Sequence, residues 1–335
     1  MSSSAARETL ARSLFPNGIP RLWCPTLTHF RAARVPDADR IQAHLASLSP
    51  FVRGILVPGS TGEGWEMNDE DISALLDIVL DAANRFGIRV LIGVLKTTVE
   101  DMLTCLDSMS QFQNHPAVVG FTVCPPKGKL LNQSEIRKAL ATVLERGKPT
   151  ALYQLPQVTE NEMDANTVAS LAEEFSNFIL FKDTSGEDLV VKSQVDLGGV
   201  FTVRGSEKGG YSSWPKSSGG PYDGFLLSTA NVFASDYSRM LELLDAGRAN
   251  EADLLSNKIN GVVSQAFEIV AGFPHGNAFA NANKVIDHCF AFGDEALRVE
   301  PPLLYGGTRL PRVMIERASE LLQSHSLARS AGYWK

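Results

Sequence analysis

Short apolar runs alternate with longer amphipathic stretches along the 335-residue chain. Eight of the runs read as strands, at residues 22–28, 54–58, 89–95, 118–124, 149–154, 178–182, 200–205 and 223–228. Several are apolar at every position, as strands buried on both faces are, and parallel sheets require such strands. The stretches between them read as helices. The clearest covers residues 68–86, where Ile72, Leu75, Leu76, Val79 and Ala83 fall at helical spacing. Asn68 is its N-cap, and Asp69, Glu70 and Asp71 put negative charge in its first turn, where the helix dipole favours it. Residues 97–112, 134–146, 164–175 and 232–246 repeat the pattern, with loop breaks at Gly59, Pro125–Pro126, Pro156 and 215–221.

Eight strands alternating with helices predict a (β/α)8 TIM barrel. An open doubly wound sheet is the rival, but it advertises a G-x-G-x-x-G turn that this chain lacks. After Ser228 the pattern is wholly helical, with further helices at 249–271, 278–292 and 309–324. One helix suffices to close a barrel, so the expected organisation is an N-terminal extension at 1–21, a barrel at 22–246 and a C-terminal helical appendage at 247–335.

The net charge of −7, with no basic block, argues against nucleic acid as a partner. No apolar run of membrane-spanning length occurs, and the first 22 residues lack the core of a signal peptide. Cys24, Cys105, Cys124 and Cys289 form no C-x-x-C pair and read as reduced thiols. These observations give a cytoplasmic expectation with no membrane association. The six histidines sit in no ligand spacing, so no metal is expected. His29, just after the first strand, reads as structural.

A parallel barrel carries its active site at the C-terminal strand ends. Three strand ends carry reactive groups. Lys182 closes the run Phe178-Ile179-Leu180-Phe181 and begins Lys182-Asp183-Thr184-Ser185-Gly186. Burial lowers a lysine pKa, and a neutral amine attacks a ketone to give an imine. The other reading is a lysine that extends from the strand end into solvent. Gly59-Ser60-Thr61-Gly62-Glu63 follows the second strand, and such small residues let backbone N–H groups converge on an anion. The alternative is a plain strand-to-helix turn. Tyr153, in Tyr153-Gln154-Leu155-Pro156, ends the fifth strand, where a phenol relays protons or simply meets water.

In this order the three motifs resemble the pyruvate-dependent class I aldolases typified by dihydrodipicolinate synthase and N-acetylneuraminate lyase. The Gly224–Asn231 stretch is similar to the family's eighth strand and its following turn. The resemblance runs from about Cys24 to Gly247. It implies catalytic roles for Lys182, Tyr153 and Thr61: Lys182 forms a Schiff base with pyruvate, and Tyr153 relays protons. By the same resemblance Ser60 and Thr61 bind the keto acid's carboxylate, and Glu63 supports the turn. Ser206, Glu207 and Ser228 would contact the distal part of the substrate. No cofactor is implied beyond the covalent Schiff base. The partners would be a keto acid and an aldehyde, in a homo-oligomer, either dimer or tetramer.

The chain departs from the synthase pattern at two points. The loop after the fourth strand reads Cys124-Pro125-Pro126-Lys127, without the family's tyrosine pair. Pro156-Gln157-Val158-Thr159 lacks the arginine that would clamp a carboxylated aldehyde. Lys127 or Lys129 would serve an acidic partner from another direction, or simply be solvated. The 209–219 loop, with Tyr211, Trp214 and Lys216, is expected near the mouth. The leading expectation is an aldolase or lyase acting on pyruvate and a small aldehyde or 2-keto-3-deoxy sugar acid. The alternatives are a 2-keto acid dehydratase or hydratase using the same lysine, dihydrodipicolinate synthase proper, and a non-catalytic keto-acid-binding protein.

Overall fold

The computed structural model describes residues 2–334. Eight parallel strands close into a barrel: β1 (Leu22–Pro25), β2 (Gly54–Val57), β3 (Arg89–Val94), β4 (Val118–Val123), β5 (Thr150–Gln154), β6 (Phe178–Asp183), β7 (Phe201–Arg204) and β8 (Gly224–Leu226). Each pairs with its sequence neighbours, and β1 pairs with β8. The first strand is shorter than expected. The Thr26 N–H still donates to Leu56 O, but beyond it the chain leaves the sheet, and the Leu27 N–H is taken by Asn231 Oδ1.

The barrel interior is filled rather than hollow. Trp23, Leu56, Leu91, Val119, Ala151, Leu180, Val203 and Leu226, one from each strand, form one buried cluster. Outward-facing strand residues pack under the helices in a second cluster that continues without a break into the C-terminal helices.

The helical layer comprises α1 (Ser3–Leu14), α2 (Ala38–Leu48), α3 (Asp69–Arg85), α4 (Val99–Met109), α5 (Gln133–Leu144), the short α6 (Pro156–Thr159), α7 (Ala165–Glu174), the one-turn α8 (Leu189–Lys192) and α9 (Ala230–Asp245). The helix α3 carries the expected cap, with Asn68 and Asp71 bonding each other's backbone N–H groups. Three elements go beyond the sequence reading. The helix α2 escaped because Arg40 and His44 interrupt its inward face, although both are buried there. A hairpin of Phe30–Ala32 and Val35–Pro36 follows β1.

The third is α1, in the expected N-terminal extension. It docks below the barrel, with Phe15 sealing the interior cluster from beneath. Its Arg7 is buried and donates to the backbone carbonyls of Ala172, Phe175, Phe178 and Gly198. Ala172 lies in the last turn of α7 and Phe175 caps its C-terminus, where a cation suits the unpaired carbonyls.

Three helices follow the barrel: α10 (Ala249–Val270), α11 (Ala278–Phe292) and α12 (Arg312–Ser324). No helix among the described residues is long and apolar enough to cross a membrane.

Candidate active site

The register of β5 against β6 sets Tyr153 directly opposite Lys182. The Lys182 Nζ lies over the phenol ring, 3.9 Å from its centroid. Lys182 is 3% exposed and has no hydrogen-bond acceptor among the described residues. Burial lowers its pKa to about 7, against the opposing pull of Cys124, Glu207 and Cys24. Such an amine is neutral in a substantial fraction of molecules near neutral pH, and the neutral form attacks a carbonyl. Burial also raises the Tyr153 pKa, with Ser60 and Thr184 pulling it back, so the phenol keeps its proton.

Gly205, the residue after β7, makes room for this arrangement. A Cβ there would meet Thr184 Oγ1 at 2.3 Å and Lys182 Cε at 2.8 Å. Any side chain at Gly205 would push the lysine off its path.

The turn Gly59–Glu63 closes on itself, with Glu63 N–H donating to Ser60 O and both Gly62 and Gly64 N–H donating to Gly59 O. The backbone N–H groups of Ser60 and Thr61 find no partner among the described residues, although both residues are buried. Two unspent N–H donors in one turn make an anion cradle. Ser60 Oγ accepts from Trp65 Nε1, and Trp65 packs on the Leu95, Cys124, Tyr153 and Leu155 cluster. The cradle thus abuts the lysine–tyrosine pair.

The turn is held from behind by the C-terminal helices, a feature the sequence reading missed. Lys284 of α11 forms a fully buried ion pair with Glu63 at 2.5 Å. The Tyr305 N–H donates to the other Glu63 oxygen, and the Asn277 side chain donates to Ser60 O. Glu63 is therefore spent on supporting the turn. One signal was present in the sequence: α11 is apolar except for Asn281, Asn283, Lys284, Asp287 and His288, all of them buried.

A cavity of about 420 Å³ opens beside the lysine, lined by Thr184, Ser185, Ser206, Glu207, Gln157 and Lys208 on the barrel side, with Val263, Ser264, Phe267 and Phe279 facing them. Ser206 and Glu207, expected at the distal part of the substrate, line this cavity. Ser228 stands behind Glu207 and gives it a hydrogen bond of 2.7 Å. Glu207 also accepts from the Thr229 N–H, the Thr229 hydroxyl and the Tyr211 hydroxyl. Four donors fix this carboxylate between β7 and β8. Thr184 was missed. Its buried Oγ1 lies next to Lys182 and close enough to the Tyr153 hydroxyl to influence that phenol.

Other candidates fall outside the cavity. Lys127 is on the surface, paired with Glu160 at 3.0 Å. Lys129 is exposed. The 209–219 loop packs outward: Trp214 covers the Arg204 guanidinium, Lys216 pairs with Asp223, and only Tyr211 reaches the site, through Glu207. Arg204 itself is buried against Asp188, so it is not free to clamp a substrate.

The fold also gathers two histidines that looked scattered in the sequence. His29, His44 and Asp287 bring ligand atoms within 4.8 Å of one another. Asp287 already holds the Arg40 guanidinium at 2.5 Å and the Tyr333 hydroxyl at 2.6 Å. Burial would raise the Asp287 pKa, but Arg40 and His44 more than reverse this and hold it far below the usual carboxylate range. An added cation would have to displace that guanidinium.

Comparison with known proteins agrees with this architecture. Residues 40–276 match the model of the dihydrodipicolinate synthetase family. The 4-hydroxy-tetrahydrodipicolinate synthase of Stenotrophomonas maltophilia (strain R551-3) is 28% identical over 221 residues, covering 65% of this chain and 72% of that protein. Two solved structures share the fold. One is a prophage protein of the dihydrodipicolinic acid synthase family from E. coli K12, in complex with pyruvate (TM-score 0.73, 18% identity, 92% of this chain and 99% of that one). The other is a variant of the Sulfolobus solfataricus 2-keto-3-deoxygluconate aldolase (TM-score 0.70, 17% identity, 92% and 96%). With the match spanning most of the barrel, including the anion turn, Tyr153 and Lys182, the chain belongs to the dihydrodipicolinate synthetase family of lyases.

Proposed function

We propose that the protein is a class I aldolase in which Lys182 forms a Schiff base with a 2-keto acid, pyruvate, and a carbon–carbon bond is made or broken at its C3. The observation that carries this reading is the buried, unpaired Lys182 amine beside Tyr153 and the two unspent N–H groups of Ser60 and Thr61. The carboxylate would rest on those N–H groups and the Thr61 hydroxyl. Lys182 would attack the ketone carbon, with Tyr153 passing the proton that lets the carbinolamine lose water. The protonated imine then withdraws electrons from C3, which becomes nucleophilic as an enamine.

Reduction with borohydride in the presence of pyruvate tests this. The expected result is a reduced pyruvyl adduct on the peptide carrying Lys182, seen by mass spectrometry. No adduct in folded protein would sink the reading. The rate of adduct formation should rise with pH and level off, with its midpoint near the lysine pKa of about 7, because only the neutral amine attacks. A rate that falls across this midpoint would contradict the assignment of Lys182 as nucleophile.

Tyr153→Phe removes the proton relay and keeps the ring under Lys182. Turnover should drop about 10²–10⁴-fold, while slow trapping on Lys182 persists. Undiminished turnover would exclude the relay.

The product distinguishes an aldolase from a dehydratase or hydratase. Release of free pyruvate from a 4-hydroxy-2-oxo acid favours the aldolase. Dihydrodipicolinate synthase activity proper has little behind it, since Cys124 and prolines follow β4 and Arg204 is engaged. The four cysteines are free and buried, which suits a reducing cytoplasm. A homo-oligomer, dimer or tetramer, completes the proposal.

A further inference from the structure

The cavity beside Lys182 has two unlike walls, and they identify the partner of the keto acid. On the barrel side are hydroxyls, the Gln157 amide, the Glu207 carboxylate and Lys208; on the other, Val263, Phe267 and Phe279 reach in from α10 and α11, with Ser264 among them. Phe267 and Phe279 meet edge to face, their ring centroids 5.8 Å apart. This pairing gives the wall a fixed apolar surface.

We infer that the aldehyde handled here has an apolar body, aryl or alkyl, seated against Phe267 and Phe279, rather than a polyhydroxylated or carboxylated one. The inference rests on the Schiff-base reading above. Three observations carry it. A sugar-like chain would turn most of its hydroxyls against Val263, Phe267 and Phe279, which offer no acceptor or donor beside the lone hydroxyl of Ser264, and burying unpaired hydroxyls is costly. A carboxylated aldehyde would meet Glu207, whose charge is already committed, and no free guanidinium. Lys208, the cation on the lining, is more than half exposed and pairs with Glu187 at 3.0 Å. Of the polar groups on the lining, the buried Thr184 hydroxyl is the one placed next to Lys182. An aldehyde oxygen bound by that hydroxyl would lie beside the enamine formed on Lys182.

The reaction balances as an aldol addition. The enamine C3 bonds to the aldehyde carbon, and the carbonyl oxygen takes a proton to become the C4 hydroxyl. One water then hydrolyses the imine, restoring the Lys182 amine and releasing a 4-hydroxy-2-oxo acid with an apolar substituent. The reverse direction cleaves that acid to pyruvate and the aldehyde.

The test uses the intact protein with pyruvate and four aldehydes: benzaldehyde, hexanal, glyceraldehyde and 4-oxobutanoate. Initial rates follow pyruvate consumption, and products are weighed by mass spectrometry. The expected result is a kcat/KM for benzaldehyde or hexanal at least about tenfold above both polar aldehydes, the scale on which an apolar pocket discriminates. Phe267→Ser should reduce that ratio by about tenfold, and Phe267→Leu should largely preserve it. Preference for glyceraldehyde or 4-oxobutanoate overturns the inference, as does a ratio unchanged in Phe267→Ser. A pyruvyl adduct on Lys182 with no apolar aldehyde consumed also overturns it and leaves the Schiff-base reading standing. Absence of the adduct removes both.

Discussion

Lys182→Ala will lower kcat/KM by at least about 10⁴-fold, equivalent to about 5.5 kcal/mol of transition-state stabilisation, and will abolish borohydride trapping with pyruvate. The side chain is the covalent partner in the proposed reaction, and nothing adjacent replaces it. Lys182→Arg should be as inactive, because a guanidinium does not surrender its proton. Activity surviving in either variant would remove the Schiff base from the mechanism. The same position governs stability, with a definite sign. The folded-state pKa of about 7 lies below the ordinary lysine value. Between the two, the unfolded chain holds the extra proton, so stability rises with pH across that window. Below about pH 7 the penalty is present in full. Lys182→Met should therefore unfold at higher denaturant concentration than the parent at pH 6, by on the order of 4 kcal/mol, with the advantage fading toward pH 10. Equal stability at both pH values would show that the lysine is not desolvated. A site that costs stability in this way is where function and folding are expected to conflict.

The second large effect is expected at Lys284, far from Lys182 in the sequence. Lys284 and Glu63 are each 1% exposed and pair at 2.5 Å. Lys284→Met strands a buried carboxylate, and breaking such a pair costs about 3–5 kcal/mol. Urea unfolding would read this directly. The double variant Glu63→Gln with Lys284→Met should recover most of the loss, because no charge is then left behind. If the double variant is as unstable as the single one, the pair is not the source. Glu63 also accepts the Tyr305 N–H, and its turn offers the N–H groups of Ser60 and Thr61. The single variant should therefore also weaken pyruvate trapping in whatever fraction stays folded.

The barrel was legible because its strands are apolar on both faces and its helices are not. The same logic explains the failures. The helix α2 presents Arg40 and His44 to the core, so its apolar stripe looks broken. The helix α1 docks through Arg7 and four carbonyls, which leave no periodic trace in the sequence. Lys182, Tyr153, Ser60 and Thr61 could be singled out since each sits at or just beyond the end of a strand. Thr184 was within the same motif, yet only the close approach at Gly205 reveals its position. Phe267 and Phe279 could not be chosen from the other apolar residues of two long helices, because their meaning depends on how those helices cross the mouth. The pairing of His29 and His44 with Asp287 joins three distant segments, and no local spacing encodes it.

The supports of the anion turn bear on the order in which this protein becomes active during synthesis. All eight strands, with Lys182 and Tyr153, are complete once residue 226 has emerged. Asn277, Lys284 and Tyr305, which hold the Ser60–Glu63 turn, come later. A nascent chain halted between these points would own its nucleophile without a fixed seat for the keto acid. Ribosome-bound barrels should therefore stay silent toward keto acids until the segment through Tyr305 docks, so that catalytic competence arrives later than barrel closure.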